Sequence, residues 1–479
     1  MRRANQRHRS KSSQPHKPVS SEPAELVIDS LSHDGRGVGR LSGKATFVSN
    51  ALPGETVIAK LHNAKSKFNE ADCVEVISAS SDRVAPFCEH YHTCGGCDLQ
   101  HLSQQAQVSH KQTQVLEQLS RIGNLTPEQT LPALQGPAQN YRRSARIGIN
   151  QRADGEVIIG FRRRASNLLT QIDNCPVLDP RLDSICASLR DALEVLPTVK
   201  HLTHLDISLG DTGGLFSVRH VKPLNEEELT IFTSVCDAYG LTLQYEKSER
   251  HSSSYQVSDV NLTFHSGDFI QVNGEINRQM VDQALTLLDI QPDDKVLDLF
   301  CGLGNFSLPL ARKAAQVTGV EGSDAMVEQA TANAAANDIE NCRFFRANLA
   351  DTIIHTQWYK DSYDKILLDP PRAGAENIIE QVCKLKAEKI LYIACNPGAL
   401  ARDGGQLQRY GYKLSRFMLA DMFPQTHHIE SVALFERDPD FKPEQQEKLL
   451  GKHSHLREDS QKKRKSSSKP VKQGLWRRR

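Results

Sequence analysis

The chain has 479 residues, 38% of them hydrophobic, and a formal net charge of +1 at pH 7. That length allows two to four domains with sizeable cores, and no apolar run approaches the roughly 20 residues of a membrane-spanning helix. The basic amino terminus lacks the apolar stretch of a secretory signal, and the eleven cysteines of a long chain point to metal or catalytic chemistry in a reducing cytosol rather than to a disulfide framework.

The near-neutral charge hides a strong asymmetry. Residues 1–20 carry Arg2, Arg3, Arg7, Arg9, Lys11 and Lys17 and no acid, and residues 461–479 carry nine basic residues and no acid. Residues 21–460 are left at −14. Both tails are rich in Ser, Lys and Gln, so residues 1–22 and 439–479 are expected to be disordered basic arms of the kind that track phosphate backbones.

Residues 23–82 read as a small β domain. Apolar and polar residues alternate between Gly and Pro turns, with Gly35, Gly37 and Gly39 at one tight turn and Pro53-Gly54 at another. Lys60, Lys65 and Lys67 leave one flank basic. This stretch resembles a TRAM domain, an RNA-binding barrel of OB-like type.

Residues 83–262 form a mixed α+β domain, with a helical stretch near 103–122 and strand-like "SARIGIN" and "EVIIGFRR". Cys88, Cys94 and Cys97 stand in a C-x5-C-x2-C spacing, and Cys175 follows in "IDNCPVLD". Two thiolates separated by two residues can reach one metal, and a fourth ligand can come from a distant loop. Four thiolates suit zinc or an iron–sulfur cluster; the 3+1 arrangement, without paired knuckles, favours 4Fe–4S. His90, His92 and His101 lie nearby and keep histidine ligation to zinc open.

Residues 263–438 switch to apolar strand-like runs ("KVLDLF", "QVTGVEG", "CRFFRAN", "DKILLDPP", "EKILYIAC") alternating with helical segments. That pattern predicts an α/β, Rossmann-like parallel sheet with helices on both faces. In "VLDLFCGLGNFSLPLA" a strand runs into a glycine turn and a helix, with Asp298 on the strand and Gly302 and Gly304 allowing close approach of a ligand. Ser307 stands where a dinucleotide fingerprint wants its third glycine. Glu321 ends the next strand, placed to accept from ribose hydroxyls in S-adenosylmethionine (SAM) and NAD sites alike. Asn348 ends the third strand, facing an adenine, and Asp369-Pro370-Pro371-Arg372 ends the fourth, a rigid loop similar to those of methyltransferases acting on bases or amides.

Cys395 follows the fifth strand, at the edge where open α/β sheets bind ligands. Uracil C5 is a poor nucleophile. A thiolate adding to C6 makes C5 enolate-like and able to take a methyl group, which splits one hard step into two. A base must then remove the C5 proton. Glu430, ahead of the strand "SVALFE", is placed for that role, with His427 and His428 as competitors or pocket-shaping groups.

These motifs, in this order, are similar to the RNA uracil-C5-methyltransferase family, and within it to the branch acting on 23S rRNA. The likeness covers residues 24–436. It implies Cys395 as nucleophile and Glu430 as proton acceptor. It implies a SAM pocket from Gln271 in "DFIQVN", Phe300, Asn305, Glu321, Asn348 and Asp369, and a 4Fe–4S cluster on Cys88, Cys94, Cys97 and Cys175. It also implies a cytoplasmic, monomeric enzyme whose substrate is a flipped uridine in single-stranded or unfolded 23S rRNA. Phe269, Arg142 and Arg143 are expected to stack on bases or touch phosphates. The same chemistry on tRNA or another rRNA uridine, or a non-enzymatic RNA-binding assembly factor, are the alternatives.

Overall fold

The structure is a computed structural model that describes residues 22–442, Lys247 excepted. The two basic arms expected from the sequence lie almost wholly outside the described residues. The chain divides into two compact units, one of residues up to 86 with 98–103, the other of 87–97 with everything from 104 onward.

The first unit is a closed barrel of β1 (Ala24–Leu31), β2 (Gly37–Leu41), β3 (Lys44–Ser49), β4 (Thr56–Ala64) and β5 (Asn69–Ser78), in the order β1-β2-β3-β5-β4. Alternation along the strands turns Leu26, Ile28, Val48, Val57 and Ala59 inward. At Gly39 a Cβ would lie 2.3 Å from the Val27 carbonyl oxygen, so close strand packing requires glycine there. The fully buried Glu55 takes two hydrogen bonds from the Arg83 guanidinium and one from the Leu52 N–H, which fixes the chain as it leaves the barrel.

The second unit opens with helix α1 (Gln104–Gln118) and the short strand β6 (Gln129–Thr130). A six-stranded sheet follows, built from β7 (Ser144–Gln151), β8 (Val157–Arg162), β9 (Leu169–Gln171), β10 (Leu202–Leu209), β11 (Gly214–His220) and β12 (Leu241–Gln244). Its order is β12-β11-β10-β7-β8-β9. Helices α2 (Ile185–Glu194) and α3 (Glu226–Ala238) cover its apolar face through Leu189 and Phe232 against Ile147, Leu205 and Phe216. A reciprocal capping box of Asn225 and Glu228 starts α3. The hairpin β13 (Ser252–Val257) and β14 (Val260–His265) leads into α4 (Gly274–Leu288).

The remaining strands are β15 (Lys295–Leu299), β16 (Gln316–Glu321), β17 (Cys342–Arg346), β18 (Lys365–Leu368), β19 (Lys389–Ala394), β20 (Tyr412–Ala420) and β21 (Glu430–Arg437). The connecting helices are α5 (Ser307–Ala311), α6 (Asp324–Ala336), α7 (Ile379–Lys384) and α8 (Pro397–Arg409). The sheet order is β17-β16-β15-β18-β19-β21-β20-β6. The strands from β15 to β19 are parallel, and all but the edge strand β17 are largely apolar and buried, because helices cover both faces. The sheet is not parallel throughout. β21 runs antiparallel between β19 and β20, because the chain turns back on itself after β20 instead of crossing over through another helix.

Candidate active site

The order of the parallel strands reverses between β15 and β18, and the carboxyl ends of β15, β16, β18 and β19 open on one crevice there. After β15 the chain makes a tight turn with Phe300, Gly302 and Gly304 at φ of 67°, 56° and 95°. Only glycine takes such angles without strain, so the non-glycine Phe300 marks a conformation held from outside. The backbone N–H groups of Phe300 and Cys301 donate to the Val320 carbonyl. The turn thereby lies over the end of β16, where Gly302 N–H donates to Glu321 Oε2 at 3.2 Å. Gly322 and Ser323 N–H donate to Glu321 Oε1 at 2.7 and 3.2 Å. The Glu321 carboxylate is held before any ligand arrives.

Beneath it lies Asp298, fully buried. Its Oδ2 accepts from the Ser307 hydroxyl, and its Oδ1 has no hydrogen-bond partner. Burial, with Asp369 and Glu321 adding, pushes this carboxyl up to about 7. Asp369, directly after β18, is raised to about 7 by burial.

Cys395 and Glu430 meet at the next position along the edge. Cys395 follows the last residue of β19, and Ala394 pairs with Ser431 of β21. Because β21 is antiparallel, its first residue lies beside the last residue of its neighbour, so Glu430 arrives next to Cys395 from far along the chain. Glu430 is the first residue of the strand itself, which starts one place earlier than the sequence pattern puts it, and is 4% exposed. Burial, then the negative Asp369, raise its carboxyl well above the usual range, with Arg372 acting against them. The Cys395 thiol is raised to about 11 by burial, then by Glu430 and Asp369, again opposed by Arg372. Two features favour the thiolate. Cys395 sits just before the amino end of α8, whose dipole attracts negative charge. Arg372 is tied to the same corner by its carbonyl, which accepts from Asn396 Nδ2 at 2.9 Å, while Asn396 Oδ1 caps α8 through the Gly398 N–H at 3.0 Å.

Asp369 thus acts on Asp298, Glu430 and Cys395, Glu321 acts on Asp298, and Arg372 opposes the acids at Glu430 and Cys395. Buried acids whose ionisation is held back by burial and by one another, with one Asp298 oxygen unpartnered, gain from a cationic ligand. This is the charge of a sulfonium, and the residues present suit SAM in that respect.

The other expected residues are placed as follows. Gln271 is 8% exposed, on the loop before α4, and its carbonyl accepts from Arg143 Nε at 2.8 Å. Phe269 on the same loop is 68% exposed. The Asn305 amide pairs reciprocally with Asn277 at 2.9 Å in both directions and accepts from the Tyr255 hydroxyl. Asn348 is exposed and turns its amide to Asp351 and the Ala350 N–H. His427 and His428 stack at 4.5 Å between ring centroids, ahead of Glu430.

Arg143 departs from the expected phosphate contact. It is 5% exposed, lies over the Tyr255 ring at 4.1 Å and holds the Gln271 loop by side chain and backbone. An arginine pair in sequence does not reveal that one member, just ahead of β7, turns inward. Sequence reasoning also missed Lys111. Buried on α1, it donates to Asp421 Oδ1 at 2.7 Å and to the Phe423 carbonyl at 2.9 Å. Gln107 and Tyr141 bind Gln425 and the Pro424 carbonyl, so three side chains fix the segment leading to Glu430. A lysine amid the polar "SHKQTQ" carries no signal of burial.

Among the described residues no group of three or more His, Cys, Asp or Glu side chains could hold a metal ion. The four cysteines are nonetheless related. Burial, then the charges of Cys94 and Cys88, raise the Cys175 thiol to about 11. Gly96 N–H donates to Cys94 Sγ at 3.4 Å. N–H groups aimed at sulfur suit thiolate ligands. Cys88, Cys94 and Cys175 are close enough to act on one another electrostatically, and four thiolates are the donor set a 4Fe–4S cluster takes.

Residues 242–438 match the tRNA (Uracil-5-)-methyltransferase family and residues 24–74 the TRAM domain. The chain is 43% identical over 435 residues to a protein of Alcanivorax borkumensis named 23S rRNA (uracil(1939)-C(5))-methyltransferase RlmD, covering 88% of this chain and 97% of the relative. A protein of the same name from Vibrio vulnificus is 40% identical, over 88% and 99%. The solved structure of Pyrococcus abyssi tRNA (uracil-54, C5)-methyltransferase with S-adenosyl-L-homocysteine superposes with a TM-score of 0.67 at 23% identity, covering 86% of this chain and all of that one, which shows the shared fold.

Proposed function

The chain belongs to the RlmD family of 23S rRNA uracil-C5-methyltransferases, and from that premise we propose that it methylates C5 of uracil 1939 through a covalent adduct of Cys395. The observation that carries this reading is the meeting of Cys395, Glu430 and Asp369 at the sheet edge, beside a glycine turn and a fixed Glu321.

Bound SAM supplies a methyl group on a positively charged sulfur. Gln271, Phe300, Asn305, Glu321, Asn348 and Asp369 would hold it, and the rigid Glu321 carboxylate is ready to accept from hydroxyl groups. The Asn305 and Asn348 side chains are engaged within the protein, so they act chiefly by shaping the pocket wall.

The uridine leaves its stack and enters beside Cys395, with the exposed Phe269 as the surface on which a base stacks. The Cys395 thiolate forms a bond to C6, and the ring electrons pass to the C4 carbonyl oxygen and C5. C5 forms its bond to the methyl group, which leaves the donor sulfur with that bond's electron pair. Glu430 then takes the C5 proton, the C5–C6 double bond reforms, and the sulfur departs from C6 as thiolate. A carboxylate raised by burial is a strong base once ionised, which suits removal of a carbon-bound proton. Arg372, which acts on both Cys395 and Glu430, lowers the cost of the thiolate and of the enolate.

The 4Fe–4S cluster on Cys88, Cys94, Cys97 and Cys175 is part of this reading, in a structural and RNA-shaping role. So is the division into an N-terminal barrel (23–82), a cluster domain (83–262) and a methyltransferase domain (263–438). The test is the Cys395→Ala variant with labelled SAM and transcribed 23S rRNA. SAM binding persists and methyl transfer is lost. Methylation by that variant would refute the adduct, and mapping of the modified nucleotide decides between uracil 1939 and another uridine.

A further inference from the structure

The six-stranded sheet has a second face, opposite α2 and α3, that the reaction does not use. Cross-strand register sets its members. Arg146 of β7 lies opposite Asp206 of β10, and Asp206 opposite Ser217 of β11. His204 lies opposite both Gly148 and Arg219, and Gly148 opposite Gly160 of β8. Arg162, two residues beyond Gly160, points to the same side.

This face is basic on an acidic body. The Arg146 side chain is 68% exposed, and Arg162 and Arg219 are exposed too. Asp206 binds Arg146 at 2.6 Å, Asn167 binds Arg162 at 2.7 Å, and Arg219 has no side-chain hydrogen bond or ion pair among the described residues. Three arginines therefore face one acid, where residues 21–460 as a whole sit at −14. Burial first, and then Arg146, Arg219 and Arg162, disfavour protonation of His204, so the three charges converge on one patch.

The patch also starts at the active site. β7 begins directly after Arg143, whose N–H and Nε bind the carbonyls of Val272 and Gln271 on the Phe269 loop. Arg146 is three strand residues farther, about 10 Å. We propose that this open sheet face is a track for the phosphate backbone of the substrate RNA flanking the target uridine, with Arg146, Arg162 and Arg219 as its phosphate contacts. The proposal rests on the RNA methyltransferase reading above and adds where the rest of the substrate lies. Charge complementarity selects a polyanion.

The test uses the full chain carrying Arg146→Gln, Arg162→Gln and Arg219→Gln together. The probe is a transcribed 23S rRNA fragment spanning the uridine named in the relatives, followed by fluorescence anisotropy at several salt concentrations. Loss of three contacts on single-stranded RNA reduces the slope of log affinity against log salt by about 2, and KM rises roughly tenfold or more with a much smaller change in kcat. The matching Arg→Lys triple variant keeps the slope. An unchanged slope and KM in a glutamine variant that melts like wild type overturns the track. So does undiminished RNA binding combined with loss of a co-purifying acidic protein. Binding slope judges the track and methyl transfer by wild type judges the parent reading, so the two failures are distinguishable.

Discussion

Ionisation of Cys395 is the most direct probe of the site. Burial, Glu430 and Asp369 move the thiol from an ordinary 9.0 to about 11. At pH 8 that leaves roughly one molecule in a thousand as thiolate, where the ordinary value would leave about one in ten. Alkylation follows the thiolate. In the protein without donor, Cys395 therefore reacts with iodoacetamide about 100-fold more slowly than an exposed thiol at pH 7, and its rate rises about tenfold per pH unit as far as pH 10. A bound cation should move the inflection down. SAM does so, whereas the neutral S-adenosyl-L-homocysteine, filling the same space, does not. Glu430→Gln removes the second-largest cause and shifts the profile in the same direction without any ligand. Peptide-resolved mass spectrometry follows Cys395 apart from the other ten cysteines. A rate that levels off below pH 9 in wild type, or a Glu430→Gln profile superposable on it, would refute the electrostatic account.

Glu430→Gln cannot take the C5 proton, so it accumulates a covalent RNA–protein adduct, visible as a shifted band in denaturing gels. Asp298→Asn stabilises the donor-free protein at pH 8 by about 2–4 kcal/mol, read from urea unfolding. The wild-type carboxyl is raised to about 7, so its favourable contribution is complete below the usual 3.8 and vanishes as pH rises through 7; the advantage of the variant therefore fades on acidification. Lys111→Met strands the buried Asp421 and costs about 3–5 kcal/mol, and adding Asp421→Leu restores most of it.

The parallel core was legible because strands buried on both faces read as unbroken apolar runs. All five runs from "KVLDLF" to "EKILYIAC" became strands β15 to β19. The helix expected near 103–122 is α1, and the barrel follows its glycines. The reversed β21 was not legible, since strand direction leaves no mark on a short apolar segment. In the site, Cys395, Asp369 and Glu321 announced themselves by standing at strand ends. The supports did not. Arg143, Lys111 and Asn277 are polar residues in polar surroundings, and only the folded chain reveals that they are inside.

The pairing of Ala394 with Ser431 puts Cys395 and Glu430, each one residue beyond that pair, across from each other at the end of one ladder. Their spacing is therefore a property of phase, not of the length of chain between them. Extra residues between α8 and β20 can loop out and leave the chemistry untouched, whereas a single deletion within β21 exchanges its two faces and removes Glu430 from the crevice. Families sharing this ladder should accumulate insertions in the loops between the two groups, but none in the eight residues of β21 that keep them in step.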